Sequence, residues 1–278
     1  MSAYVLAQAA WMPGRADVDA VLEDRVSAEA KRPELPGYPS RLMRGTSVVT
    51  RMSASVAARA LARSGVDPRT IPAVFGSAYG EVCIAIEQLE MMVTGDGQVS
   101  PALFKNSVHN TGAGVFSIAH GNHIMSTSLA AGPLTVAYSM LEGHGILDEG
   151  ASHVLVVVAD EALPVPLSEV VQWESFAAAW VLGREPPRDA GPDGEAGGEA
   201  GPWIRLAAPQ VHEGPQQVPD VRVPPGLAAH PCRSALDLLA AIHRRTPGLV
   251  SLGREDDEAW SIEVSVEGRT VEREGTAS

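Results

Sequence analysis

The sequence predicts an α/β protein, with a mostly parallel sheet and helices on both of its faces. Strand-like and helix-like segments alternate over the first two thirds of the chain, which is typical of parallel sheets covered by helices. Residues 154–159 are continuously apolar and mostly β-branched, as in a strand buried on both faces. A strand at 124–128 turns sharply into a helix that begins near Pro133, where a first helical turn tolerates proline. With 278 residues the chain is long enough to build a full core around such a sheet.

The individual elements follow from apolar runs, capping residues and terminating glycines. Asp17 and Ser53 are typical N-caps, and Gly65 and Gly95 are typical of positions just after a helix. The predicted elements are strands at 4–10, 71–76, 124–128, 154–159 and 176–182, and helices at 17–30, 53–64, 81–94, 112–120 and 133–149. We expect the strand at 176–182 to be antiparallel and to lie at the end of the sheet.

The remainder of the chain has a different character. Residues 184–202 are rich in Gly, Pro, Asp and Glu, and they are predicted to form a flexible loop. Beyond them we expect strands at 203–208 and 260–266 and an amphipathic helix at 232–245. Too few residues follow 183 to build a second unit of the first one's size. The predicted organisation is therefore a domain over 1–183, the loop 184–202, and a reduced C-terminal segment, 203–278, that completes the same domain.

Composition excludes several classes of function. The net charge of −13 argues against nucleic acid as a partner. No run of about 18 apolar residues is present, so neither a membrane span nor a membrane partner is expected, and no signal peptide is recognised at the start. Cys83 and Cys232 lie far apart, outside any C-x-x-C spacing, which predicts neither a disulfide nor a zinc site and fits a reducing cytoplasm. The histidines show no metal-ligand spacing with carboxylates, so we expect no metal and no cofactor.

The charge is unevenly distributed along the chain. Residues 1–70 hold 10 of the 21 Lys and Arg residues but only 7 of the 34 Asp and Glu residues. This basic segment could meet an acidic partner such as an acyl carrier protein, or it could simply be a solvated face. The cations in question are Arg25, Lys31, Arg32, Arg41, Arg44 and Arg51.

The strand-to-helix turn has the shape of a nucleophile turn. A cysteine held near position 129 would face the positive end of the following helix, which favours the thiolate. The chain has Leu129 at this position, between Ser126-Thr127-Ser128 and Ala130-Ala131-Gly132. The turn is thus predicted without its nucleophile.

These residues resemble the N-terminal half of a β-ketoacyl synthase, a family with the thiolase fold. The family pattern S/N-T-A-C-x-S-G stands here as STSLAAG over residues 126–132. The upstream SPALFKNSVHNTGAG, from Ser100, and the glycine-containing FGSAYGE at 75–81 also keep the family's order and spacing. The SVHN form at 107–110 is closest to small synthase-like proteins of aryl polyene pathways, which resemble the chain-length factors that pair with an active synthase. The resemblance covers roughly residues 1–183.

The resemblance implies that catalysis has been lost. The family acts through the turn cysteine together with histidines, or a histidine and an asparagine, from motifs such as H-G-T-G-T in its second half. No such motif follows residue 183, and the surroundings of His212, His230 and His243 do not match. No residue is therefore assigned a catalytic role, and Leu129 occupies the nucleophile position.

The expected function is a non-catalytic subunit that pairs with an active β-ketoacyl synthase. By resemblance it shapes the acyl tunnel in polyene, polyketide or fatty-acid-type biosynthesis, with an acyl carrier protein as a further partner. The candidates for the tunnel or the interface are Phe104, His109, Asn110, Phe116, Ser126, Ser128, Leu129 and Gly132. His109 either braces its loop or contacts a ligand.

Two alternatives remain open at this point. One is an autonomous acyltransferase or hydrolase that uses Ser126, Ser128 or Cys83, although no G-x-S-x-G elbow is present. Those serines would otherwise hydrogen-bond the local backbone, and Cys83 would otherwise be a small core residue. The other is a partner-free acyl-binding protein that forms a homodimer.

Overall fold

The fold is known from a computed structural model that describes residues 2–95, 97–187, 202–212 and 221–268. In these residues it has nine strands: β1 (Ala3–Trp11), β2 (Ala73–Gly76), β3 (Ser126–Leu129), β4 (His153–Asp160), β5 (Phe176–Gly183), β6 (Trp203–Leu206), β7 (Gln210–Val211), β8 (Gly248–Glu255) and β9 (Glu258–Glu267). The α-helices are α1 (Val18–Leu22), α2 (Val48–Ser64), α3 (Val82–Thr94), α4 (Pro101–Phe104), α5 (Thr111–His120), α6 (Thr135–Asp148) and α7 (Ser234–His243). No helix in these ranges has the length and apolar character needed to cross a membrane.

The described strands form one mixed sheet in the order β3-β2-β4-β5-β1-β6-β9-β7, with β8 paired to β9. β2 runs parallel to both β3 and β4, and the other pairs are antiparallel. The register places Gly76 beside both Leu129 and Val158. The carboxyl ends of β2, β3 and β4 therefore meet at one edge of the sheet, where ligand sites of open α/β sheets lie.

Helices cover both faces of the sheet, as the alternation of elements predicts. One face packs on α1, α6 and α7, with a core that includes Met140, Trp180 and Leu239. The other face packs on α2 and α5, with Met52 and Phe116 in the core. The sheet forms the middle layer, and its central strands β4 and β5 are buried almost throughout.

The predicted position of the strand at 176–182 is wrong. β5 is antiparallel, as expected, but it lies between β4 and β1 in the middle of the sheet. Every residue of β5 is buried, because helices cover both of its faces and a strand pairs with each of its edges.

Two predicted helix boundaries are also wrong. The helix expected over 17–30 ends at Leu22, although Asp17 caps it as predicted. Two residues further on, Asp24 adopts a left-handed conformation and pairs with Arg15, which turns the chain away. The next helix starts earlier than predicted, since Ser47 is its N-cap: Thr50 N donates to Ser47 Oγ at 3.0 Å.

The C-terminal segment contains more sheet than the sequence predicts. It contributes β6 to β9 and the single α-helix α7, which is buried along most of its length rather than amphipathic. The β8–β9 hairpin folds back over the start of α6. A Cβ on Gly253, whose φ is +129°, would lie 2.6 Å from the Pro133 carbonyl oxygen, so this approach requires glycine. Most of the loop predicted over 184–202 falls on residues 188–201, which lie outside the described residues.

Candidate functional site

The strand-to-helix turn lies at the carboxyl end of β3, as the sequence predicts. Leu129 ends the strand, and a short 3₁₀ turn over Gly132–Leu134 leads into α6. Thr135 holds the turn: its Oγ1 accepts from Ala131 N at 3.2 Å and donates to Gly132 O at 2.8 Å. The backbone that would present a nucleophile is thus fixed by local hydrogen bonds.

A cavity of about 810 Å³ opens beside this turn. The side chain at the nucleophile position, Leu129, forms part of its wall, and one face of α6 forms another part. The described lining residues are Leu129, Ala130, Ala131, Tyr138, Leu141, Glu142, His144, Gly145, Asp148, Ala208 and Glu255. Next to the cavity, the rings of Tyr138 and Trp260 pack with their centroids 5.2 Å apart.

The histidine in this lining, His144, does not have the geometry of a catalytic base. It is buried, with Nδ1 2.8 Å from Met140 O and Nε2 3.4 Å from Leu206 O. Burial lowers the pKa of the imidazole below its ordinary value, which favours the neutral ring. Both ring nitrogens lie within hydrogen-bond distance of backbone carbonyls, and the neutral ring donates to one of them, so the imidazole is held by contacts with the fold.

The FGSAYGE turn is organised by Asp160, which the sequence did not single out. This carboxylate is fully buried at the end of β4. It accepts hydrogen bonds from Ser77 Oγ at 2.7 Å, Ala78 N at 3.0 Å and Tyr79 N at 2.9 Å. Cys232 Sγ donates a further one at 3.2 Å. Asp160 thereby joins the turn after β2 to the C-terminal segment.

His230 completes this connection. Its Nδ1 accepts from Cys232 N at 3.0 Å, so Nε2 carries the proton and donates to Asp160 O at 3.1 Å. Burial, followed by the charge of Asp160, raises the pKa of the Cys232 thiol. A Cys, a His and an Asp therefore lie together, but their hydrogen bonds stabilise the fold and the thiol stays protonated.

The candidates at the end of α4, in the loop before α5 and in α5 itself occupy three different environments. His109 Nε2 lies 2.9 Å from Ser77 O, and the ring covers Gly80, where a Cβ would lie 2.9 Å from His109 Cδ2. Asn110 and Phe104 are exposed. Phe116 faces the core, where its ring packs against Phe75 with a centroid distance of 5.9 Å.

The alternative nucleophiles lack an activating partner. Ser126 is exposed, and the buried Oγ of Ser128 makes no hydrogen bond within the described residues. Cys83 is half-buried, and burial together with the carboxylates of Glu161 and Glu81 raises its thiol pKa to about 12. A thiol with such a pKa is a poor nucleophile at neutral pH. No three His, Cys, Asp or Glu side chains in the described ranges are grouped to hold a metal ion.

Two buried carboxyl groups meet where α2 and α3 begin, and no local pattern in the sequence predicts them. Glu161 accepts from Val49 N at 3.3 Å and from Cys83 N at 3.2 Å. Thr50 Oγ1 donates to one oxygen of Glu81, and its other oxygen has no partner within the described residues. Burial, with the charge of Glu161 adding to it, raises the pKa of Glu81 to about 7. The pair is held against two helix N-termini, which stabilise negative charge.

The free edge of β3 carries an exposed apolar surface. β3 ends the sheet and pairs with β2 alone among the described strands. Ile118, Ile124 and Met125 are exposed on or next to this part of the chain. Helices α3 and α4, which contact each other, also expose the apolar side chains Leu89, Met91, Met92, Val93 and Phe104. An open strand edge flanked by apolar side chains is typical of an interaction surface.

Comparison with known proteins identifies the family. The family model for the β-ketoacyl synthase N-terminal domain matches residues 20–193, so the chain belongs to this family, as the turn motif predicts. No curated protein matches the sequence.

Solved structures confirm the predicted thiolase-like fold. The structure of a ketosynthase (ApeO) in complex with its chain length factor (ApeC) from Xenorhabdus doucetiae contains a chain that is 18% identical, with a TM-score of 0.66. The match covers 95% of this chain and 99% of that one. The ishigamide ketosynthase/chain length factor is 14% identical (TM-score 0.54), over 67% of this chain and 64% of the other. A β-ketoacyl synthase from Burkholderia phymatum is 14% identical (TM-score 0.54), over 66% and 59%.

Proposed function

We propose that the chain is a non-catalytic, chain-length-factor-like subunit that pairs with an active β-ketoacyl synthase and shapes its acyl tunnel. The observation that carries this proposal is Leu129. A leucine stands where the turn would present a nucleophile, and the adjoining cavity is lined by His144 with both ring nitrogens on backbone carbonyls. An acyl group cannot be held covalently on a leucine side chain.

Pairing with the synthase takes place at the free edge of β3. An unpaired strand edge adds a strand from a partner through main-chain hydrogen bonds. The exposed Ile118, Ile124 and Met125 would then lose their contact with water. The likeness to chains from two structures of ketosynthases with chain length factors supports pairing with a synthase.

In this proposal the tunnel wall is built from candidate residues at the turn, before α5 and at the end of α4. Leu129 and Gly132 lie at the turn, His109 and Asn110 precede α5, and Phe104 is exposed at the end of α4. In this proposal the C-terminal segment, 203–278, belongs to the same domain as 1–183, which agrees with the pairing of β6 to β1. The product is of polyene, polyketide or fatty-acid type, and synthesis takes place in the cytoplasm.

An acyl carrier protein meets the basic N-terminal segment. Two of the six candidate cations in this segment are engaged: Arg25 pairs with Glu23, and Arg51 donates to Met43 O at 2.7 Å. The other four have no ion-pair partner within the described part of the chain, and all four are exposed. These are Lys31, Arg32, Arg41 and Arg44. An acidic carrier is the partner that such a surface favours.

The autonomous-enzyme alternative has little support in the site. Burial raises the pKa of the Cys83 thiol to about 12, and Ser128 Oγ makes no hydrogen bond within the described residues. The partner-free alternative predicts a homodimer at the same β3 edge, and it is separated from the proposal by what co-purifies with the chain.

The test is recovery of a synthase from the native host by the tagged chain under mild conditions. We expect stoichiometric recovery with the wild-type chain and at least about tenfold less with Met125→Arg, since an unpaired charge would be buried in the interface. Val211→Arg is the matched control. Val211 is 51% exposed and Met125 49%, but Val211 lies on β7 at the opposite end of the sheet. Recovery of the chain alone, or equal loss with both variants, would contradict the proposal.

A further inference from the structure

We propose that the cavity beside Leu129 receives a segment of the synthase partner that carries an arginine or lysine next to an apolar side chain. This inference rests on the proposed pairing at β3, and it specifies the chemistry of the partner element that enters.

The position of the cavity makes it accessible from the interface. Its wall residues Leu129, Ala130 and Ala131 continue directly from β3, whose outer edge has no strand neighbour in the described chain. An element that pairs along β3 therefore runs towards the cavity mouth.

The cavity combines an apolar wall with uncompensated negative charge. Tyr138 and Leu141 line it beside the carboxylates of Glu142 and Glu255. None of the lining residues is a lysine or an arginine. Glu142 accepts from Thr127 Oγ1 at 3.3 Å, and neither glutamate has an ion pair within the described residues. A long cationic side chain matches both features, because its stem packs on apolar surface while its head pairs with a carboxylate.

The same charges disfavour the other available occupants. A second copy of this chain has the same net charge of −13 and brings the same two glutamates. An acyl carrier protein brings further negative charge on its phosphodiester arm, and like charges brought together cost free energy. The synthase partner is therefore the occupant to which we assign the cation.

Charge reversal tests this proposal. We expect Glu142→Lys combined with Glu255→Lys to raise the dissociation constant of the complex between the purified subunit and the synthase by at least about tenfold at low salt. The matched control is Glu149→Lys combined with Glu263→Lys. It changes the net charge equally, but both sites are exposed and lie outside the cavity lining. We expect the control to stay within about threefold of wild type.

A labelling measurement distinguishes a cavity covered by the synthase from a variant that simply fails to fold. Glu142→Cys is expected to react with a maleimide more slowly in the complex than in the free subunit, whereas Glu149→Cys reacts equally in both. Peptide mass spectrometry separates these sites from Cys83. If the wild-type complex forms but the cavity variants bind and label like their controls, the occupant proposal is wrong and the proposed function stands. If no synthase binds the wild-type chain, both are wrong.

Discussion

Replacing Asp160 with alanine is expected to lower the free energy of unfolding by about 3 kcal/mol or more. The substitution removes the acceptor for Ser77 Oγ and for the backbone amides of Ala78 and Tyr79. It also removes the acceptor for Cys232 Sγ. Asp160 is fully buried, so water cannot replace the carboxylate, and each donor left without an acceptor costs about 1–3 kcal/mol.

Urea denaturation of the purified chain measures this loss, with Ser77→Ala as the graded control. Ser77→Ala removes one of the four hydrogen bonds that the Asp160 carboxylate accepts, together with the bond from Gly80 N to Ser77 Oγ. We therefore expect its free energy of unfolding to fall by about 1–2 kcal/mol. Asp160→Ala should also weaken binding to the synthase, since His109 contacts the same turn through Ser77 O. Equal losses of stability for the two variants would contradict the role assigned to Asp160.

Replacing Glu81 with glutamine is expected to stabilise the chain above neutral pH and to flatten its pH dependence. The pKa of Glu81 is raised to about 7 in the folded chain, chiefly by burial. Its ordinary value is 4.5, so between these two pH values the folded state binds more protons than the unfolded state. Stability therefore falls as pH rises through this window and levels off above it. The full difference is about 3 kcal/mol, at about 1.4 kcal/mol for each unit of pKa.

This prediction is measured by unfolding the wild type and the variant at about pH 5 and about pH 8. Glutamine keeps an acceptor for Thr50 Oγ1 and cannot ionise beside Glu161, whose own pKa burial also raises. The control is Glu90→Gln, an exposed position on the same helix, α3, for which we expect the wild-type pH dependence. Glu81→Gln and wild-type chains that differ in stability by the same amount at about pH 5 and about pH 8 would contradict the buried-carboxyl interpretation, because the lowered pKa values of buried histidines such as His144 act equally on both chains.

The sequence predicted the turn at Leu129 and the family because both are local in the chain. Strand, small residues, proline and helix follow one another over 124–149, and hydrophobic periodicity and capping chemistry report such neighbours directly. The short strand and the helix after it are confirmed within a few residues.

The polar interactions that hold the site together could not be predicted in this way. Asp160 meets Ser77 from 83 positions away and Cys232 from 72, so no local spacing connects them. Glu81 and Glu161 likewise meet only because β2 and β4 are neighbours in the sheet. In the sequence, a charged residue next to an apolar strand indicates only where the strand ends. Which residue the charged side chain contacts depends on the topology of the sheet.

The predicted strand at 260–266 is confirmed as most of β9, whereas its hairpin partner β8 was missed for a different reason. The hairpin turn follows Gly253 and contains a run of charged residues, Arg254 to Glu258, a composition more typical of a loop than of a sheet. β8 forms a strand because it pairs with β9, which in turn pairs with β6, and because it contacts α6. Tertiary contacts here outweigh the local preference.

We propose that this chain accepts no acyl group. The most direct measurement is its intact mass after incubation with an acyl-loaded carrier protein, alone and in complex with the synthase. We expect an acyl adduct on the synthase and none on this chain, because Leu129 has no nucleophilic atom. Cys83→Ala distinguishes enzymatic acylation from chemical transfer to the half-buried thiol. An acyl adduct on Ser126 or Ser128, or one on Cys83 that forms at the rate of turnover, would contradict the account.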